Sequence, residues 1–242
     1  IIPLSLFRDR SFLLCSLIGF IIGMALFGSV TFLPLYLQVV KDATPTEAGL
    51  QLLPLMGGLL FTSALSGRII SRTGRYRFFP IGGTLLAFCG MALLTTITTT
   101  SPTWHLYLFT CLLGFGLGMV MQVLVLAVQN SVPQGLIGVA TSGVTLFRSV
   151  GGSIGVALFG AVFTHVLQSN LLRLLPEGTM LPRELNPVAV HHLPDAIRED
   201  YLQAFGAAIH AAVQMAAGVM LLAFGLSWLL REAPLRGRNV PD

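Results

Sequence analysis

The sequence predicts an all-α membrane protein built from six transmembrane helices. Three observations predict it. The 242 residues are 54% hydrophobic and only 10% charged, with a mean hydropathy of +0.82. The apolar residues come in blocks of ~20, the length that carries a helix across a bilayer core of about 30 Å. Neither the one-sided helical stripe nor the alternating strand pattern of a soluble domain runs through any long stretch.

The blocks follow in order. A first span is expected over residues 12–40, with Pro34 near its far end marking a kink or a stop. The second, 48–70, carries Pro54 in its first turns, and the third, 78–98, closes in the polar run "TTITTTSPT". The fourth, 104–130, opens on Trp104 and Tyr107, amphipathic aromatics suited to a membrane interface. "SVPQGLIG" breaks the chain before the fifth span, 139–167, and the sixth covers 205–230. Between the last two lies a polar loop, 168–204, whose four prolines, Pro176, Pro182, Pro187 and Pro194, forbid a long helix. A short helix is expected from Pro194 through "DAIREDYLQAF". The chain begins Ile-Ile-Pro with no basic-then-apolar leader before Ser11, and reads as a segment of something longer.

Charge orients the spans. With the N-terminus inside, Arg8, Arg10, Arg68, Arg72, Arg75, Arg77, Arg231, Arg236 and Arg238 fall on one side, against Lys41, Arg173, Arg183 and Arg198 on the other. That split obeys the positive-inside rule and puts both ends in the cytoplasm. The net charge of +4 is thereby explained by topology, and a nucleic-acid partner is excluded because the basic residues lack the polar surface such a module needs. Cys15, Cys89 and Cys111 lie inside apolar blocks without CxxC spacing or histidine neighbours, so they read as packing residues; no metal site or cofactor is expected.

Arg148 stands apart, about ten residues into the fifth span, where an unpaired charge costs at least ~2.5 kcal/mol. Either it contacts an anion or substrate, or it is a structural arginine bonding carbonyls at a helix junction. Thr31, Gln38, Gln51, Gln122, Gln129, His165, His210 and Gln214 are milder in-span polar groups, each an interhelical hydrogen-bond partner or a ligand contact. Gly114, Gly116 and Gly118, then Gly151, Gly152, Gly155 and Gly160, allow close helix approach, for static packing or for sliding. "GGSIG" at 151–155 satisfies the G-x-S-x-G nucleophile pattern, which has mechanical meaning only at a strand-to-helix turn; inside an apolar helix it carries no hydrolase, and no enzyme is expected.

"GRIISRTGRYR", residues 67–77, resembles the cytoplasmic loop signature G-x-L-x-D-R-x-G-R-R of the major facilitator superfamily. Gly67, Ile69, Arg72, Gly74, Arg75 and Arg77 fit the pattern, with Arg68 beside them; Ser71 stands where the family has its acid, which puts an acid-mediated latch in doubt. "PLSLFRDRSF", "FLPLYLQ", "AGLQLLPL" and "GVATSGVTLFRSVGGSIGVALFG" are similar to the last six spans of the fourteen-span drug:proton antiporters, the DHA2 multidrug-efflux branch. The resemblance covers nearly the whole chain. It implies one six-helix half-bundle of a major facilitator fold, working by alternating access as part of an exporter of drugs or other amphipathic organic compounds in a bacterial inner membrane. It further implies an N-terminal half as partner, proton-motive force in place of a cofactor, a periplasmic loop at 168–204, and leaves room for a periplasmic adaptor. By the same analogy the first and fourth spans line the cavity, making Phe27, Thr31, Tyr36, Met121 and Gln122 wall residues, with Arg148 a further substrate contact. Residues 67–77 would bias the conformational balance. The alternative is a complete six-helix scaffold or assembly protein that transports nothing.

Overall fold

The computed structural model describes residues 3–98, 101–174 and 195–230. Among them are seven α-helices: α1 (Arg10–Val40), α2 (Pro45–Leu50), α3 (Leu53–Thr73), α4 (Phe78–Leu94), α5 (Thr103–Ser131), α6 (Ile137–Leu174) and α7 (Asp195–Trp228). All but α2, a single short turn, are membrane-spanning in length or apolarity, α4 being the shortest. Alternation of direction gathers the start of α1, the α3–α4 turn, the α5–α6 turn and the close of α7 at one end of the bundle, here the arginine end.

Local chemistry sets the boundaries. Asp9 caps α1, its Oδ1 accepting from the Ser11 and Phe12 amides at 2.7 and 3.0 Å. Pro34 does not stop α1, which continues to Val40; the ring only withdraws one amide donor from the ladder. The second expected span divides. Thr44 and Glu47 form a reciprocal capping box, with Pro45 opening α2, and Pro54 then sits in the first turn of α3. The third span is shorter than expected, ending at Leu94, where the Thr95 and Thr96 hydroxyls donate back to the Ala92 and Leu93 carbonyls at 2.6 and 2.7 Å. The last is longer. It starts at Asp195, where the short helix expected from Pro194 runs on into the sixth span without a break, because Tyr201, Ala204 and Phe205 form a buried stripe of helical spacing, and Phe205 meets Phe163 of α6 edge-on at 5.2 Å. Residues 168–174 and 195–204 of the segment expected as a polar loop are thus helical, and Pro176, Pro182, Pro187 and Pro194 lie outside the described residues, as do Arg231, Arg236 and Arg238.

Packing proceeds in two groups joined by α7. α1 lies along α6, and α5 lies between α3 and α4; α7 packs against α1, α4 and α6. Lipid tails are as apolar as leucine, so close van der Waals contact between helices takes the place of water exclusion as the cohesive force. The glycines supply it. Gly114 and Gly118 present bare backbone to Leu55 and Leu59 of α3, whereas Gly116, half a turn round, faces Gly83 and Ala87 of α4. "GFGLG" therefore serves two interfaces at once. Thr62 secures one of them, donating to the Gly58 carbonyl of its own helix at 2.8 Å and lying 2.9 Å from the Phe115 carbonyl of α5. Leu53, Leu60, Phe61, Phe78 and Leu222 stand more than half exposed, as an apolar exterior for lipid.

Candidate functional site

Two of the expected contacts, Phe27 and Arg148, meet at the seam between α1 and α6. Gly23 of α1 receives the Arg148 carbonyl, Gly151 of α6 receives that of Phe20, and a Cβ on Gly155 would stand 2.6 Å from Met24 Cα. Aromatic rings close the seam from both sides. Phe27 lies over Gly152, its Cγ 2.8 Å from where a Cβ would be, and Phe159 lies over Gly28 at 2.7 Å in the same sense. "GGSIG" is thus continuous helix whose glycines accept the neighbouring helix.

Phe27 is 45% exposed and Thr31, one turn further along α1, is exposed too. Arg148 lies one turn from Gly152 toward the arginine end, so the structure brings Phe27 and Arg148 to the same seam. Its backbone is tightly held, yet its half-buried guanidinium has no hydrogen bond or ion pair among the described residues. Gln122 is exposed on α5 beside Gly67 of α3, and Met121 is half-buried against the core. Neither is joined to Phe27 by a recorded contact. Tyr36 faces inward. It is 4% exposed, and its hydroxyl donates to the Thr98 carbonyl at 3.1 Å.

Tyr36 belongs to an interior cavity of about 40 Å³, bordered by Gly28, Phe32, Met91, Phe159, Ile209 and His210. His210 reaches the Ile97 carbonyl through Nε2, which must carry the hydrogen because a carbonyl only accepts. Lys41 adds a third such bond, Nζ to the Ser101 carbonyl at 2.8 Å. The α4–α5 linker is in this way tied through its main chain to α1 and α7.

Sequence reasoning missed a groove where the close of α5 meets the start of α6. Gln129, Thr141, Ser142, Thr145, Leu146 and Ser149 line it with Ile137 and Gly138, and Gln129 Nε2 donates to Thr141 Oγ1 across the helices at 3.1 Å. Its signal was available: Thr141, Thr145 and Ser149 recur at every fourth position, one face of a helix.

At the arginine end, residues 67–73 form the last turns of α3 and Gly74 ends it in a left-handed conformation, φ 75°, its amide donating to the Ile70 carbonyl at 2.8 Å. Ser71 donates to the Arg68 carbonyl at 2.8 Å, and Thr73 to that of Ile69 at 2.8 Å. Arg68, Arg72 and Arg75 are exposed. Arg77 turns inward and donates from Nη2 to the Trp228 carbonyl, at 3.3 Å, at the close of α7. This is the kind of contact that favours a cation at a helix C-terminus.

Fold and surface together define a multi-pass helical membrane bundle with in-span polar groups exposed on α1, α5 and α6. The chain belongs to the Major Facilitator Superfamily, whose profile matches residues 1–156. It is 39% identical over 236 residues, 97% of its length, to an MFS-type transporter of Mycobacterium tuberculosis, of which this covers 34%. It is 40% identical over 177 residues, 72% of its length and 50% of the relative's, to a tetracycline resistance determinant of Streptomyces rimosus. To the multidrug transporter protein MdtP of Bacillus subtilis it is 34% identical over 191 residues, 78% of its length and 35% of the relative's. The chain therefore spans about a third to a half of these relatives. The fold is shared with the Escherichia coli fucose:proton symporter, at TM-score 0.68 and 18% identity over 96% of this chain and 51% of that one. It is shared too with a bacterial homologue of the human lysosomal transporter Spinster, at TM-score 0.69 and 16% identity over 95% and 51%. The chain is of a transporter family, and neither the scaffold alternative nor a hydrolase is sustained.

Proposed function

We propose that this chain is the C-terminal six-helix half of an exporter that moves drugs or other amphipathic organic compounds out of the cell in exchange for protons. The observation that carries the reading is the 40% identity to a tetracycline resistance determinant, a relative named for the removal of a drug's effect. An N-terminal half would complete the transporter, and the two halves would rock around a shared site by alternating access. Phe27, Thr31, Met121, Gln122 and Arg148 would contribute to that site, and Tyr36 would hold α1 in position behind it. The described residues of this half carry their acids only near helix ends, at Asp9, Asp42, Glu47, Asp195, Glu199 and Asp200. Proton-coupling carboxylates would therefore belong to the other half. Gly67, Arg68, Ser71, Arg72, Gly74, Arg75 and Arg77 would form the cytoplasmic turn that biases the two states, with Arg77 its anchor on α7. The membrane would be a bacterial inner membrane with both ends of the segment inside, and a periplasmic adaptor is compatible with the loop between α6 and α7.

The test is uptake of ethidium into everted vesicles carrying the complete transporter, the inverted orientation turning export into uptake. Uptake that appears on energising the vesicles and collapses with a protonophore is expected; uptake indifferent to the proton gradient would remove the antiport reading. Alkaline phosphatase fused after Arg75 should be inactive, and an active fusion there would invert the topology.

A further inference from the structure

We infer that the groove between α5 and α6, together with Arg148 beside it on α6, is a binding subsite for the acidic, oxygen-rich head group of an amphipathic ligand. The inference rests on the transporter reading and names the class of ligand it takes.

The groove is furnished for both sides of a hydrogen bond. Ser142 and Thr145 give their hydrogens to carbonyls of their own helix, Val139 and Thr141, each at 3.0 Å. Their oxygens therefore keep lone pairs for a ligand's hydroxyl or amide hydrogens. Thr141 is the reverse. Its oxygen accepts from Gln129 at 3.1 Å, which leaves its hydrogen to donate. Ser149 has no hydroxyl partner among the described residues and adds a second donor. Ile137 and Leu146 give the apolar flank an amphiphile needs.

Arg148 supplies the charge. It is not itself one of the lining residues but stands next to Ser149, which is. It follows Thr145 by three residues and Thr141 by seven, spacings that put it on their side of the helix, and side chains lean toward the helix start, where the groove lies. The residue lies about 16 Å along the axis from the first residue of α6. A cation at that depth is costly unless something answers it, and nothing among the described residues does. No carboxylate lines the groove either. A guanidinium in this setting favours a carboxylate or enolate oxygen, which it grips with two parallel N–H donors, and it offers a permanent cation no attraction. The same geometry leaves one rival answer, a carboxylate of the other half of the transporter, and the experiment separates the two.

Equilibrium binding of fluorescein, an anionic oxygen-rich probe, is followed by anisotropy on the purified complete transporter, with ethidium as the cationic comparison. Arg148→Gln should raise the fluorescein Kd at least about tenfold and leave that of ethidium within about twofold. Thr145→Val should raise the fluorescein Kd about threefold or more, and Thr145→Ser should restore it. These threonine variants keep the test decisive if the arginine variant fails to fold. An unchanged fluorescein Kd in folded Arg148→Gln, or an equal rise for both probes, overturns the subsite and favours a carboxylate of the other half. Fluorescein binding that responds as expected in a protein that exports neither probe upholds the subsite and overturns the transport reading instead.

Discussion

The ring of Phe27 rests on the backbone of Gly152, and at the next position of α1 the ring of Phe159 rests on Gly28 in return. Each helix offers a glycine to the other's aromatic, so the seam is reciprocal and neither helix can turn about its own axis without losing a contact. α1 and α6 should therefore move as one body.

The glycines of this seam are not equivalent. A Cβ on Gly151 would run into the Phe20 main chain, whereas one on Gly160 would meet only the Phe32 ring tip at 3.8 Å, an ordinary contact. Gly151→Ala should cost about 1–3 kcal/mol and lower the thermal midpoint of the detergent-solubilised protein by several degrees, with Gly160→Ala near neutral. Equal midpoints would mean that the seam yields by sliding.

Tyr36 and Phe27 should separate stability from substrate handling. Tyr36→Phe removes the bond to the Thr98 carbonyl and should cost about 1 kcal/mol while leaving the KM for an exported dye unchanged. Phe27→Ala, at a half-exposed position, should raise that KM. The opposite pattern would move the substrate surface to the interior of the half-bundle.

Gly74 adopts a φ of 75° that disfavours a side chain. Gly74→Ala should cost about 1–2 kcal/mol, read as a lower thermal midpoint, with Gly74→Asn milder. Arg77→Ala should cost about 1 kcal/mol and quicken hydrogen exchange at the close of α7, where the Trp228 carbonyl loses its donor. Exchange unchanged there would show that the close of α7 is held by other contacts.

The Arg198–Asp42 pair, 3.0 Å apart and a third to a half exposed, should matter little. Arg198→Ala should shift stability by no more than about 1 kcal/mol, and the difference should vanish at high salt. A larger loss would reveal a role in holding the α1–α2 corner, where Asp42 takes a φ of 53°.

What could be read in the sequence was what depends on one helix at a time. The spans were legible because bilayer thickness acts on composition, and the turn between the second and third because its arginines interrupt the apolar blocks. Boundaries slipped where side chains intervened: Thr95 and Thr96 close α4 early, and Tyr201, Ala204 and Phe205 open α7 early. The glycine spacings announced close approach but not its partners, since nothing in "GFGLG" says that Gly114 and Gly116 meet different helices. The inward rotation of Tyr36 and the α5–α6 groove both require two helices in place, and periodicity within one segment cannot supply the second.

The side-chain bonds that tie the linker after α4 to α1 and α7 end on main-chain oxygens, those of Ile97, Thr98 and Ser101, while the donors are His210, Tyr36 and Lys41. The constraint is therefore one-sided. The side chains of Ile97, Thr98 and Ser101 can be exchanged without removing the acceptors of these three bonds, because a carbonyl is present whatever side chain the residue carries. Relatives of this chain are free to rewrite the linker's spelling, and the record of its position is kept instead on two helices remote from it in the sequence.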